Sequence, residues 1–251
     1  MSNQVLHDIT LAAIVRDEED NPAHGVEIWL KATLPYVESA VVVDTGSVDR
    51  TREILERLRS DYPHLEIFDR EFDDFASSRN FSLSKIKTRR ALVLDADELL
   101  LPEEYVRLNE YIIQTPAREY NFHFKQIYPN GCILNTVWDM QIGRLFDVEG
   151  AEFKNSRENG FYEDVELPDQ IRGESPFVPP DVAIIKHFLP SSEAHDKKTS
   201  LWYEEGEIHQ SSPLHHAKTY GWKERNGGRN FYFSPESVLK ENFPGLVGAG
   251  R

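Results

Sequence analysis

The chain has 251 residues and a formal net charge of −15, because 43 aspartates and glutamates outnumber 28 lysines and arginines. This acidic balance argues against generic binding to nucleic-acid backbones and leaves carboxylates to hold a divalent cation. The single cysteine, Cys132, excludes an intrachain disulfide, which fits a reducing compartment. With no signal-peptide pattern and no apolar run of membrane-spanning length, we expect a cytoplasmic protein without a membrane span.

The first 118 residues alternate short apolar strands with helices. Strands are predicted over residues 9–15, 40–43, 65–68 and 91–94. Four helices are predicted. The first two follow from apolar stripes, one from Val26 to Val37 and one from Thr51 to Leu58, and Ser47 or Asp49 could cap the second helix. The other two are predicted over residues 73–86 and 102–114. This βαβα order, with connections of crossover length, predicts a mostly parallel sheet covered by helices.

The pattern changes after residue 118. A Pro129-Asn130-Gly131 turn predicts a hairpin between strands over residues 120–128 and 133–137. Further strands are predicted over residues 140–146 and 182–188, a helix over 191–210, and polar loops near a binding cleft over 147–181. No separate domain is evident in this half.

Three polar clusters follow predicted strands of the first half, at residues 16–19, 44–51 and 95–98. In a parallel sheet, ligands bind beyond the carboxyl ends of the strands, so the clusters predict one shared site. Asp95 and Asp97 are two residues apart in extended backbone, which places both carboxylates on one face. Such a pair repels unless a cation or a proton lies between its members. The pair predicts a Mn²⁺ or Mg²⁺ site that neutralises a diphosphate, and solvated loop carboxylates are the alternative.

Four segments resemble motifs of family 2 glycosyltransferases, in the family's order. They are the apolar strand ending in Arg16-Asp17-Glu18-Glu19, the Val41–Thr51 segment VVVDTGSVDRT, the Asp74–Asn80 segment DFASSRN, and the Leu92–Glu98 segment LVLDADE. The resemblance covers residues 9–101 and continues weakly through 143–146 and 185–188. It implies a GT-A type, Rossmann-like nucleotide-diphosphate-sugar domain with a C-terminal acceptor-side extension. Residues 1–118 would form the nucleotide-sugar-binding half, and residues 119–251 the acceptor-binding half and extension of the same domain.

The resemblance also implies roles for individual residues. Asp44 would contact the uracil or ribose end of the nucleotide, and Glu18 or Glu19 would lie near the base and ribose. Arg79 would hold the nucleotide or its phosphates, a task suited to a forked guanidinium. The full set of implied nucleotide contacts is Val15, Asp17, Glu18, Asp44, Gly46, Ser47, Arg79, Asp95 and Ala96. Asp95 would face the ribose or the metal. Asp97 would ligate the metal and His187 would complete its coordination, although a structural histidine is the alternative reading of His187.

Family 2 members generally invert the anomeric centre, so the resemblance implies inverting transfer from a nucleoside diphosphate sugar, with UDP expected. The acceptor hydroxyl could belong to a glycan, a lipid, a protein or a modified nucleic acid. Relatives place the catalytic base in a short element after an Arg-Leu-Phe strand, and Tyr162-Glu163-Asp164 occupies that place here. Glu163 is therefore the first candidate for the base and Asp164 the second, with a solvated acidic loop as the alternative.

Two other functions compete with this hypothesis. A nucleotidyltransferase also uses paired carboxylates, but it usually has a glycine-rich, basic loop after the first strand. Residues 16–19 contain no glycine, which counts against that class. The second competitor is a nucleotide-sugar-binding module without catalysis, which donor hydrolysis would distinguish from an enzyme. The sequence indicates neither the donor sugar nor the oligomeric state.

Overall fold

The computed structural model describes residues 6–21, 23, 25–127, 143–155, 163–168 and 175–188. Its first part contains β1 (Leu6–Val15), α1 (Val26–Thr33), β2 (Val37–Asp44), α2 (Thr51–Asp61), β3 (Leu65–Asp69), α3 (Phe75–Leu83), β4 (Arg90–Val93), β5 (Glu98–Leu99) and α4 (Pro102–Gln114). Its second part contains β6 (Glu119–Asn121), β7 (Phe124–Ile127), β8 (Gly143–Asp147), β9 (Glu152–Asn155), β10 (Glu163–Glu166) and β11 (Ile185–Phe188). In the described residues, no helix has the length and apolar character needed to cross a membrane.

A six-stranded sheet in the order β3-β2-β1-β4-β8-β6 forms the centre of the fold. The pairs β3-β2, β2-β1 and β1-β4 are parallel, whereas β8 runs antiparallel to both β4 and β6. The prediction of a mostly parallel α/β sheet is therefore confirmed. Because crossover helices follow the parallel strands, their carboxyl ends all meet at one edge of the sheet.

Both faces of the sheet are covered, which explains why Val41, Val42 and Val43 are all buried in succession. One face packs against α1, α2 and α4, with Trp29, Leu55 and Leu108 among its core residues. The other face, lined by residues such as Ala91, Val93 and Phe146, packs against α3 and the β9–β10 pair. The alternation of residues along β4 between these two clusters is the period of two expected for a strand.

The first-half helices match the predicted ones except at their ends. Val37 was expected on the stripe of α1 but begins β2, because Pro35 cannot continue a helix and the chain passes through a short 3₁₀ turn at Leu34–Tyr36. The N-cap residue of α2 is Arg50, and no side chain makes a cap hydrogen bond there, so the predicted cap at Ser47 or Asp49 is wrong. Asp49, one residue before the N-cap, instead accepts a hydrogen bond from the Thr51 N–H at 2.9 Å. The third helix, predicted through residue 86, ends at Leu83.

The second half departs further from expectation. The predicted strand over residues 120–128 is split between two sheets, because β6 joins the central sheet whereas β7 joins a three-stranded sheet in the order β5-β11-β7. Loops were expected over residues 147–181, but β9 and β10 form an antiparallel pair there. The predicted turn at 129–131, the strand over 133–137 and the helix over 191–210 lie outside the described residues.

Candidate functional site

The loops after β1 and β2 are joined into one unit by hydrogen bonds. Asp17 accepts the Val48 N–H at 2.7 Å and its own N–H donates to Ser47 Oγ at 3.1 Å. The Glu18 N–H donates to Thr51 Oγ1 at 2.7 Å. Two of the three predicted polar clusters are therefore in direct contact. Asp17 and Ser47, both predicted to contact a nucleotide, each use their side chain to bind a backbone N–H of the other loop.

Asp44 shapes the second of these loops. Its Oδ1 accepts the N–H groups of Gly46 at 3.1 Å and Ser47 at 2.8 Å, which closes the turn that follows β2. Gly46 has a φ of 104°, a conformation that side-chain-bearing residues rarely adopt. Val15 is buried, and its carbonyl accepts the Thr45 N–H at 2.9 Å, so the two strand ends are fixed side by side.

The third cluster is tied to the first through Asn21. Asn21 Nδ2 donates to the Ala96 carbonyl at 2.8 Å, while Asn21 Oδ1 accepts the Ala23 and Gly25 N–H groups. Ala96 itself is buried. All three predicted clusters therefore meet at the carboxyl edge of the sheet, as the strand-end positions predicted.

Two buried arginines surround Asp95 at this edge. The side chains of Arg79 and Arg144 are only 4% and 9% exposed. Arg79 contacts one Asp95 oxygen through Nη2, and its Nε lies 3.2 Å from Glu163 Oε1. Arg144 Nη2 lies 3.3 Å from the other Asp95 oxygen and 2.6 Å from Glu98 Oε1. These five side chains, hereafter the charged network, alternate in sign, as burial of several charges requires.

Burial and neighbouring charge compete in this network. Burial acts to raise the pKa of Asp95, but Arg79 and Arg144 outweigh it and hold that pKa well below its usual range. Burial raises the pKa of Glu98 to about 7, and the Arg144 charge opposes that rise. Burial acts to lower the pKa of Arg79, but Asp95 and Glu163 more than offset the effect. Asp95 is therefore ionised and Arg79 charged at neutral pH, whereas Glu98 titrates near neutrality.

Two donors of the charged network have no acceptor in the described part of the chain. Arg79 Nη1 and Arg144 Nε are both buried and make no hydrogen bond there. An unmet buried donor costs about 1–3 kcal/mol, and charged donors cost more. Buried cationic donors of this kind at the edge of the sheet fit an anionic ligand.

Asp97 and His187, the two predicted metal ligands, lie together. β11 pairs antiparallel with β5, which places His187 opposite Glu98, and the Phe188 N–H donates to the Asp97 carbonyl at 2.8 Å. His187 Nε2 is 3.8 Å from Asp97 Oδ2. Burial acts to lower the pKa of His187, but Asp97 and its acidic neighbours raise it to about 9. The metal-free imidazole is therefore protonated at neutral pH.

The donor set is small for a metal held by protein alone. Among the described residues, no group of three His, Cys, Asp or Glu side chains is arranged to hold a metal ion. Mg²⁺ and Mn²⁺ sites that act on phosphates are often built from one or two carboxylates completed by waters and phosphate oxygens. The pair of Asp97 and His187 fits a cation of that kind, and it does not fit a closed structural site.

The two candidate bases point in opposite directions. Neighbouring residues of a strand face opposite sides, and β10 places Glu163 on the side of buried Val165 and of Arg79, whereas Asp164 is exposed. Glu163 thus belongs to the charged network and Asp164 lies away from it. The expectation of a loop at Glu163–Glu166 is wrong, because β10 pairs with β9 throughout these residues. Tyr162 lies outside the described residues.

Sequence reasoning did not single out Arg144 or Asn21. Arg144 is a buried charge within the otherwise apolar run Gly-Arg-Leu-Phe of β8, and a charge in such a run is a signal that a partner must be found for it. Asn21 precedes a proline in a polar loop, where nothing distinguishes it from an ordinary turn residue.

The fold is an α/β domain of the GT-A type. A sequence model described as "Glycosyl transferase family 2" matches residues 30–167, more than half of the chain. The chain belongs to this family.

Individual relatives match over more limited lengths. A TPR repeat-containing protein from Synechococcus elongatus is 33% identical over 109 residues, which is 43% of this chain and 25% of that protein. The mannosyltransferase PcManGT from Pyrobaculum calidifontis, solved with GDP-Man and Mn²⁺, has a TM-score of 0.51 at 14% identity, over 85% of this chain and 69% of that one. Residues 1–349 of S. aureus TarS give a TM-score of 0.44 at 14% identity, over 56% of this chain and 47% of that one. The chain thus spans about a quarter of the curated relative, and the likeness to PcManGT is one of fold.

Proposed function

We propose that this chain transfers a sugar from a nucleoside diphosphate sugar to an acceptor hydroxyl, with inversion and with the help of Mn²⁺ or Mg²⁺. The observation that carries the proposal is the charged network beside the Asp97–His187 pair, at the sheet edge where the three loops meet. Asp97 and His187 would hold the cation, which when bound would neutralise the charge that develops on the leaving diphosphate. Membership of glycosyl transferase family 2 supports sugar transfer as the reaction class.

The donor end of this site is assigned to the loops and the arginines. The buried Nη1 of Arg79 has no hydrogen-bond partner among the described residues, and it lies beside a carboxylate that is already paired, so it suits a phosphate oxygen. The turn held by Asp44 and the loop held by Asp17 form the wall on which the nucleoside would lie, with Val15, Glu18, Gly46, Ser47 and Ala96 around it. PcManGT, which shares the fold, was solved with GDP-Man and Mn²⁺, which supports a nucleoside diphosphate and a divalent cation here. UDP remains the nucleotide that we expect.

Asp97 and His187 would hold the cation. For His187 to bind it, the imidazolium must lose its proton, so metal binding at this site releases a proton near neutral pH. Asp95 is already committed to two arginines, which leaves Asp97 as the carboxylate able to face a metal. The sequence-based split of roles within the Asp95–Asp97 pair is therefore retained in the proposal.

Glu163 is the proposed base. An inverting displacement needs a base on the acceptor side of the sugar, opposite the diphosphate. Glu163 is brought to the network by β10, from the half of the chain that follows residue 118, and not by the strands that carry Asp95 and Asp97. This is the arrangement expected if residues 1–118 bind the donor and residues 119–251 bind the acceptor. Asp164, on the exposed face, is the weaker candidate.

A turnover assay tests the proposed function. Release of nucleoside diphosphate from UDP-sugars and GDP-mannose would be measured with Mn²⁺, with Mg²⁺ and with EDTA, for the native chain, Asp97→Asn and Asp61→Asn. Asp61 is an exposed aspartate at the end of α2, so its amide variant is a matched control. We expect metal-dependent release that Asp97→Asn abolishes and Asp61→Asn preserves. Binding of a donor with no turnover under any condition would indicate a non-catalytic module instead.

A further inference from the structure

A cleft lies at the edge of the central sheet opposite the candidate site. It has a volume of about 390 Å³ and is lined by Thr88, Arg89, Arg118, Asp147, Val148 and Glu149. β4 begins at Arg90 beside this cleft and runs toward Asp95 at the candidate site, a distance of roughly 16 Å at about 3.3 Å per residue. The cleft is therefore separate from the charged network, and its volume falls within the range of ligand sites.

Three arginines converge on one carboxylate at the base of this cleft. Asp147 is only 4% exposed, and its two oxygens lie 3.0 Å from Arg90 Nε and 3.0 Å from Arg89 Nη2. Arg118 Nη1 lies 3.6 Å from the same carboxylate, beyond hydrogen-bond distance. The three guanidinium groups lie near the carboxylates of Asp147, of Glu149 in the lining of the cleft, and of Asp8, which accepts the Arg89 N–H at 2.8 Å.

One arginine would be enough to compensate Asp147. The Arg90 side chain is only 12% exposed and donates from Nε to Asp147 and from Nη2 to the Ala117 carbonyl at 3.0 Å, so it is the structural partner. Arg89 and Arg118 are 54% and 40% exposed and line the cleft, so both guanidinium groups are accessible to a ligand while they lie close to Asp147. Arginines gathered around a concavity provide the forked donors that recognise phosphate.

The two exposed arginines are held on rigid backbone. The Asp147 N–H donates to the Arg118 carbonyl at 2.7 Å, and the Val148 N–H donates to the Arg89 carbonyl at 2.9 Å. The loop before Arg118 is anchored by Tyr120, whose hydroxyl donates to the Thr115 carbonyl and accepts the Ala117 N–H. The backbone that carries both guanidinium groups therefore needs no rearrangement to present them to a ligand.

We propose that the cleft formed by Arg89, Arg118 and Asp147 binds the phosphate group of a small molecule, at a site distinct from the donor site. Arg89 and Arg118 contact the phosphate oxygens, and Asp147 with Arg90 fixes the spacing of the two guanidinium groups. Glu149 is exposed at the mouth of the cleft, where its negative charge weakens the attraction between the arginines and phosphate and so lowers the affinity for phosphate.

Amide chemical shifts of the labelled full chain test this site directly. Inorganic phosphate would be titrated against chloride at constant ionic strength, since exposed charges are screened by salt. We expect saturable shifts at the amides of Arg89, Arg118 and Val148, and Arg118→Gln should weaken that response about tenfold through loss of a charge-assisted contact. Arg59→Gln, a change at an exposed arginine of α2, should leave the response unaltered.

Two further measurements test the role of Glu149 and the kind of phosphate that the cleft binds. Glu149→Gln should tighten phosphate binding several-fold, because it removes a negative charge from the mouth. In a parallel titration with glycerol 3-phosphate, equal affinity would assign the site to free phosphate and tighter binding to a phosphate ester. Shifts confined to the amides of residues 44–51 and 95–98, an equal response in Arg118→Gln, or no gain in Glu149→Gln would each overturn the proposal.

Discussion

The two parts of the candidate site are built from different interactions. The loops after β1 and β2 are held by hydrogen bonds between short polar side chains and backbone N–H groups, as Asp17 and Asp44 illustrate. The charged network is held by buried ion pairs between Arg79, Arg144 and their carboxylates. Each local hydrogen bond that fixes the shape of a loop contributes a modest amount to stability, whereas removal of one member of a buried ion pair lowers stability strongly because the other charge is left unpaired. The loops thus provide the shape of the site, and the network provides its charge.

The largest expected effect concerns the proposed base. Glu163→Gln keeps the size of the side chain and removes its basicity, so turnover should fall by about 10² to 10⁴, the usual contribution of a positioned base. Nucleoside diphosphate affinity should stay within about twofold, because Arg79 retains Asp95 as a partner. Steady-state kinetics and calorimetry measure the two effects separately. Asp164→Asn, on the exposed face of the same strand, should retain near-native turnover, and the opposite ranking of the two variants would assign the base to Asp164.

The next effect is on stability and concerns Arg144. Arg144→Gln leaves Asp95 paired with Arg79 but removes the arginine that pairs with buried Glu98, and removal of one member of a buried pair costs about 3–5 kcal/mol. Arg57→Gln, which breaks only the surface pair with Glu27, should cost about 0–1 kcal/mol. Urea unfolding of both variants measures the difference. Equal losses would show that the network is solvated and not a buried charge system.

The third effect is a pH dependence that His187 introduces. Its pKa is raised from 6.5 to about 9 in the metal-free protein, so the folded state binds an extra proton between these values. The resulting stability is present below pH 6.5 and is lost as the pH rises through 9, with a total of about 2 kcal/mol after allowance for screening. Thermal unfolding in EDTA from pH 6 to pH 9 measures it. In His187→Gln this part of the pH dependence of stability should disappear. An unchanged dependence of stability on pH would show that the Asp97–His187 contact does not raise the pKa of His187.

The smallest effect is expected in the loops. Asp17→Ala removes the acceptor of the Val48 N–H, an interaction comparable to a helix cap, so it should cost about 1 kcal/mol of stability. The change should weaken donor binding more than it lowers turnover at saturation, because the loop shapes the nucleoside wall. Separate measurement of KM and kcat distinguishes an effect on donor binding from an effect on turnover. A loss confined to kcat would indicate that Asp17 takes part in the reaction itself, which would contradict the assignment of shape to the loops and of charge to the network.

The sequence predicted the first half of the fold well because its signals are local. The apolar run Val41–Val43 and the start of α3, where Asp74 accepts the Ser77 N–H at 2.7 Å, each depend on neighbours within a few residues. The strand-end rule then placed the three polar clusters at one edge, and the structure brings them together.

The second half was less predictable because its pairings are distant in sequence. β6 and β7 follow each other closely, but the Asn121 N–H donates to the Pro176 carbonyl, and β7 pairs with β11. β9 and β10 each have one apolar residue that the fold buries, Phe153 and Val165, which is too weak an alternation to detect. Arg144 could have been noticed as a charge in an apolar run, but only the structure shows which carboxylates it joins.

The central claim is that a cation joins the diphosphate to Asp97 and His187, and calorimetry tests it most directly. UDP and GDP would be titrated into the native chain in Mn²⁺ and in EDTA at neutral pH, with Asp61→Asn as a matched control. We expect at least one nucleotide to bind at least about tenfold more tightly in Mn²⁺, a difference of roughly 1.4 kcal/mol, and Asp97→Asn to abolish that gain. Equal affinities with and without the metal, or an undiminished gain in Asp97→Asn, would contradict the account.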